Sequence, residues 1–136
     1  MAKYVGGDFT EVSCSHPEHG DMKFDPKANE SWTLNEGGIR TNDDANSVTS
    51  NGKIIQQKNN TLWNAEGPIA VDLKGEQSDY LNKVTESSEL GTWVFSHISG
   101  AIFTGKGIPV GDLNTDTNTA QLTLKVAGSG KLSRIS

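Results

Sequence analysis

Apolar and polar positions alternate most regularly between Trp93 and Val126. Trp93, Phe95 and His97 interleave with Val94, Ser96 and Ile98. After Ser99-Gly100, Ala101 and Phe103 interleave with Ile102 and Thr104. Successive strand residues face opposite sides, so two period-2 runs divided by a glycine predict adjacent antiparallel strands. The stretch GKGIPVGDLNTDTNT that follows is rich in Gly, Pro, Asn and Asp and predicts a loop. Ala120, Leu122, Leu124 and Val126, set against Gln121, Thr123 and Lys125, then predict a strand with one buried face.

The rest of the chain is less regular. Met1–Phe9, with Gly6-Gly7, reads as a flexible arm, and Thr10–Ser15 as a short strand closed by His16-Pro17. His16–Asn35 holds two prolines and scattered Met22, Phe24, Trp32 and Leu34, which suggests a loop with apolar anchors. Gly37–Asn46 has no useful period. Asn51-Gly52 is a hairpin signal, with strands expected at Ile54–Lys58 and Thr61–Leu73. Pro68 predicts an edge or a bulge in the second of these. Gln77–Ser88 is the one good helix candidate, with Ser78 as cap and Tyr80, Leu81 and Val84 as an apolar stripe. Glu86 and Glu89 oppose the macrodipole and keep it short. The tail Lys131–Ser136 offers only Leu132 and Ile135 for burial. These elements describe a mainly β protein with one short flanking α-helix.

Composition adds that the core is thin. The chain has 136 residues, enough for one domain spanning 1–136. Apolar residues make up 33%, against a usual share of roughly 45–50% that also counts glycine. Asn, Thr, Ser and Gly fill the gap, so subunit association is an expected source of stability. The net charge is −5 and no Lys/Arg block stands out, which argues against affinity for nucleic-acid phosphates. Cys14 is the only cysteine, so no intrachain disulfide is possible. No secretory leader is visible, and no apolar run approaches the roughly 18 residues of a membrane span. A reducing cytoplasm without a membrane anchor is the expected setting, where the sequons at Asn29 and Asn59 have no role.

Four patterns invite a chemical reading. Cys14, His16 and His19 have metal-like spacing but lack a fourth ligand nearby. Asp112, Asn114, Asp116 and Asn118 alternate like a calcium loop. However, Thr117 replaces the turn glycine and Thr123 the bidentate Glu, which favours side chains bonding their own backbone. Gly105-Lys-Gly107 opens no helix, and Gly128-Ser-Gly130-Lys131 has Lys125 for the first Gly and Leu132 for the Ser/Thr of a phosphate loop, so both read as strand-end turns. No serine sits in a Gly-x-Ser-x-Gly elbow. Trp32, Trp63 and Trp93 suggest either core anchors or a sugar-binding platform. No catalytic residue, metal or cofactor is expected, and the protein is read as a non-enzyme.

One resemblance covers nearly the whole chain. Gly37-Gly38-Ile39-Arg40-Thr41-Asn42-Asp43-Asp44-Ala45, followed by Gly52-Lys53-Ile54-Ile55, resembles a segment of contractile-tailed bacteriophage tail tube proteins. Trp93-Val-Phe95, Ile98-Ser-Gly100, Gly105-Lys-Gly107-Ile-Pro109-Val-Gly111-Asp112 and Ala120–Val126 are similar to the C-terminal block of that family. Ser15-His16-Pro17 is similar to its N-terminal part. Asn64, Glu66 and Pro68 depart from it, standing where the family carries more apolar residues.

The resemblance implies a β-barrel or β-sandwich of tail-tube type, assembled as hexameric rings that stack into the inner tube of a virion tail. That tube is the conduit for DNA ejection inside a contractile sheath. Implied partners are the protein itself, the tail sheath protein, the baseplate and tail terminator proteins, and a tape-measure protein and then DNA in an acidic lumen, with no sequence-specific binding. It also implies candidate inter-subunit and inter-ring contacts at Arg40, Asn42, Asp43, Asp44, Asn51, Lys53, Lys106, Asp112, Asn114 and Asp116. The same architecture would suit a phage-derived injection particle. The alternative is a small β-sandwich carbohydrate-binding or adhesion module that uses its tryptophans. A metal-dependent hydrolase at Cys14, His16 and His19 is a third.

Overall fold

The computed structural model describes residues 4–41 and 47–135. Its strands are β1 (Phe9–His16), β2 (Gly20–Pro26), β3 (Thr33–Asn35), β4 (Gly38–Thr41), β5 (Ser47–Val48), β6 (Ile54–Ile55), β7 (Lys58–Thr61) and β8 (Trp63–Ala70). The helix α1 (Gln77–Glu86) precedes β9 (Gly91–His97), β10 (Ile102–Pro109), β11 (Thr115–Asp116), β12 (Gln121–Gly128) and β13 (Ser133–Arg134).

Six strands close a barrel in the order β12, β10, β9, β1, β2 and β8, with β8 returning to β12. One wall is β2–β1–β9–β10, edged by β13; the other is β8–β12, edged by β3 and β11. Short corners join the walls. The end of β2 pairs β8 at Asp25↔Ala70 and Pro26↔Ile69, and the end of β10 pairs β12 at Ile108↔Ala127 and Pro109↔Val126. Closure removes the open edges that a free sheet would present.

Alternation fills the barrel. Val12 and Cys14 from β1, Phe24 from β2, Trp63, Ala65 and Ile69 from β8, Trp93 and Phe95 from β9, and Leu122, Leu124 and Val126 from β12 are buried together. Fully burying an aliphatic or aromatic side chain of this kind contributes roughly 1.5–3 kcal/mol. α1 adds Tyr80, Leu81 and Val84. It lies at the barrel end where β1 stops and β2 starts, and the Tyr80 hydroxyl is 2.7 Å from Gly20 O and 3.2 Å from Cys14 O.

The hairpin read from Trp93 onward is present, with Gly100 at φ +96° in its turn. Several other expectations need correction. Gly105–Pro109 is strand, because its glycines serve close approach and not a turn. A Cβ on Gly107 would lie 2.4 Å from Ala127 O, and one on Gly128 1.9 Å from Lys106 O. The two buried indoles use the same strand: Trp63 Nε1–H donates to Lys106 O and Trp93 Nε1–H to Gly107 O. His16–Asn35 contains β2 and β3, which the alternation of only Met22 and Phe24 with charged residues concealed.

Ala120 does not belong to the strand that follows. It sits in the preceding turn at φ +53°, and its N–H donates to Asp116 O. Ser78 is inside α1; the N-cap is Glu76, which makes no side-chain cap bond. Pro68 lies where β8 changes partner on one edge, from β3 at Glu66 to β2 at Ile69. A residue without an N–H is tolerated at such a break. β1 begins at Phe9, and Leu132 from the tail is buried in the core while Ile135 is exposed.

Candidate assembly surface

Residues 38–41 and 47–61 form two ribbons that do not join the barrel walls. β4 pairs β7 from Gly38↔Thr61 to Thr41↔Lys58, and β5 pairs β6 at Ser47↔Ile55 and Val48↔Ile54. The turn between β5 and β6 is the one Asn51-Gly52 predicted: Gly52 has φ +88° and its N–H donates to Thr49 O. Ile39, Val48, Ile54 and Ile55 are all exposed, and so is every polar residue from Gln56 to Asn60. Val48 and Ile54 are cross-strand neighbours, so they make one apolar patch. A two-stranded ribbon with no buried face is marginal in water. This segment is called the arm below.

The sequence-derived contact residues divide between places. Arg40, Asn51 and Lys53 lie on the arm, with the Arg40 guanidinium donating to Asn35 Oδ1 and Ile39 O. Asn42, Asp43 and Asp44 lie outside the described residues. Lys106, expected in a loop, is exposed in the middle of β10. Asp112, Asn114 and Asp116 are exposed beside β11. Asp116 accepts the N–H groups of Asn118 and Thr119, which holds its carboxyl below the ordinary range. That is the self-bonded turn expected there in place of a calcium loop.

The register of β8 with β12 puts these groups at opposite ends. The arm leaves β8 at Trp63, opposite Gly128; the Asp116–Ala120 turn meets the other end, where Gln121 pairs Ala70. The candidate contact residues read from the sequence did not include the arm's exposed Ile and Val. Their signal in sequence is that Val48 and Ile54 flank the Asn-Gly turn while long polar stretches deny them a core.

The far end is acidic. Segments 16–25 and 72–90 hold eight carboxylates against three lysines, which equals the net charge of the whole chain. They meet around α1, where Asp25, Ala70, Val71, Asp72, Glu76 and Ala120 are among the residues lining a hollow of about 670 Å³. Among the described residues no three His, Cys, Asp or Glu side chains converge as metal ligands. Cys14 is buried against Gly91, its thiol pushed up by burial. The buried His16 binds Glu89 O through Nε2 and accepts the Glu18 N–H at Nδ1. Trp63 and Trp93 are wholly buried and Trp32 packs over Gly67, so the three form no surface platform. No helix among the described residues is long and apolar enough to cross a membrane.

This barrel with its end-capping helix has solved counterparts. The chain is similar to one in the cryo-EM structure of the anti-feeding prophage cap, described as the tube terminating cap. The TM-score is 0.57 at 9% identity, over 100% of this chain and 94% of that one. It is also similar to a chain in the 6-fold symmetrised anti-feeding prophage baseplate. There the TM-score is 0.53 at 16% identity, over 100% and 97% of the two chains. At these identities the likeness is one of fold. No protein-family model and no curated protein matches the sequence.

Proposed function

We propose that the protein is a non-enzymatic structural subunit of a phage-tail-like particle, one domain over 1–136 that forms hexameric rings stacked into an inner tube. The observation that carries this reading is the exposed apolar arm at one end of β8 and an acid-rimmed hollow at the other. Head-to-tail stacking needs two different complementary surfaces at opposite ends of a subunit. The described part of the arm carries Arg40, Lys53 and Lys58 and no carboxylate. The hollow presents Asp25, Asp72 and Glu76 around Ala70, Val71 and Ala120. Charge and apolar character match in both directions. The shared fold with chains of a prophage cap and a 6-fold baseplate supports the same role.

In this reading the tube lies within a virion tail or a related injection particle, inside a sheath and between a baseplate and a terminator. A tape-measure protein and then DNA occupy the lumen. An acidic lumen, in a ring of chains that each carry a net charge of −5, would let phosphates slide without sticking. Size-exclusion chromatography and negative-stain microscopy of concentrated protein test the proposal. Annuli or hollow filaments of constant width are expected. A compact solitary chain at high concentration overturns it. Charge reversal sharpens the test: Lys53→Glu should leave rings that no longer stack, and Asp72→Lys in the same chain should restore filaments.

A further inference from the structure

We infer that Asn51 is a self-modifying site, at which the Gly52 amide nitrogen displaces the side-chain ammonia of Asn51 and Thr49 assists. Asn51 is the only asparagine in the chain followed by glycine. Asn51 and Gly52 are both exposed, and a Cβ built on Gly52 would meet nothing within 4 Å, so no neighbour crowds the glycine. The side-chain carbonyl is already engaged. Thr49 Oγ1–H donates to Asn51 Oδ1 at 2.5 Å, and Thr49 Oγ1 accepts the Lys53 N–H at 2.9 Å. That relay holds a polarised hydroxyl against the oxygen on which negative charge grows during attack, the placement that lowers the barrier of acyl transfer.

The balance is simple. The Gly52 nitrogen loses its proton to hydroxide and bonds to Asn51 Cγ, giving a tetrahedral oxyanion held by Thr49. The Cγ–NH₂ bond then breaks, and the nitrogen leaves as ammonia with a proton from water. Water opens the cyclic imide at either carbonyl, leaving aspartate or isoaspartate. The Gly52 N–H donates to Thr49 O in the folded turn, so brief opening of that bond precedes attack. Either product puts a new negative charge two residues from Lys53, and isoaspartate adds a backbone bond inside the turn. Resting on the assembly reading above, modified chains should be depleted from stacked rings and enriched among free subunits.

The test is incubation of the folded protein in heavy-oxygen water at mildly alkaline pH, followed by peptide mapping. Labelled aspartate and isoaspartate should accumulate at position 51 faster than at any other asparagine. Thr49→Val should slow the reaction about tenfold, less than the hundredfold or more typical of an enclosed oxyanion donor, because this turn is open to water. Thr49→Ser should restore the rate. Turnover at Asn51 no faster than at Asn114 or Asn118 overturns the site, and Thr49→Val at the wild-type rate or above overturns the role of Thr49. Neither readout needs rings, so failure here is separable from failure of the tube.

Discussion

The barrel and the arm are built from the same residue types on opposite terms. In the barrel Trp63, Ile69, Trp93, Phe95, Leu122, Leu124 and Val126 face inward, and even the two indole N–H groups find strand carbonyls. In the arm Ile39, Val48, Ile54 and Ile55 are exposed, and among the described residues β4 pairs with β7 and β5 with β6. The barrel buries its apolar residues within one chain, whereas the arm leaves its own exposed, and under the proposed assembly another copy would cover them. A closed barrel thus coexists with a thin core while several Ile and Val side chains remain exposed outside it.

The sharpest way to break this contrast is to damage the barrel. Trp63→Ala removes a wholly buried indole and leaves Lys106 O without its donor. It should cost about 3–5 kcal/mol, read as a lower denaturant midpoint. A smaller loss is expected for Tyr80→Phe, about 1 kcal/mol for its bonds to Gly20 O and Cys14 O. This variant also tests pH dependence. Burial, and then hydrogen bonding at Cys14, hold the Tyr80 phenol above its ordinary 10.0. The unfolded chain releases that proton first, so stability present below about pH 10 falls as the pH climbs past it. Tyr80→Phe should flatten that alkaline decline in melting experiments.

A still smaller change, of opposite sign, is expected at Ala120, whose φ of +53° suits glycine. Relief of roughly 1–2 kcal/mol of left-handed strain, offset by the added chain entropy of glycine, should make Ala120→Gly more stable by about 0.5–1 kcal/mol. Least of all should happen to the isolated subunit when Val48 and Ile54 both become serine, with a change within about 0.5 kcal/mol. Ring and filament formation should nevertheless be lost. A large drop in subunit stability from that pair would erase the distinction between arm and barrel.

What the sequence revealed follows from where single-chain patterning operates. The Trp93–Thr104 hairpin, the Leu122–Leu124–Val126 face, α1 and the Asn51-Gly52 turn were legible because each has a local period or turn residue. β2 and the second half of β10 were hidden. β2 has only Met22 and Phe24 to reveal a buried face, and β10 uses Gly105 and Gly107 to admit Trp63 and Ala127, a reason visible only in three dimensions. The candidate contact residues divided likewise. Arg40, Asn51 and Lys53 do share the arm, but Lys106 is mid-strand, and the Asp112–Asp116 segment lies at the opposite end of β8–β12. No local signal reports which end of a barrel a loop will reach.

The uneven spread of carboxylates has a further consequence. Fields from exposed groups fade within about 8–10 Å at ordinary ionic strength, so subunits joined with their α1 poles close together would need dissolved ions to tolerate one another. If the poles meet basic arms instead, the same ions would loosen the particle. The sign of the change in filament yield across a salt series therefore measures, without any image, what each pole faces.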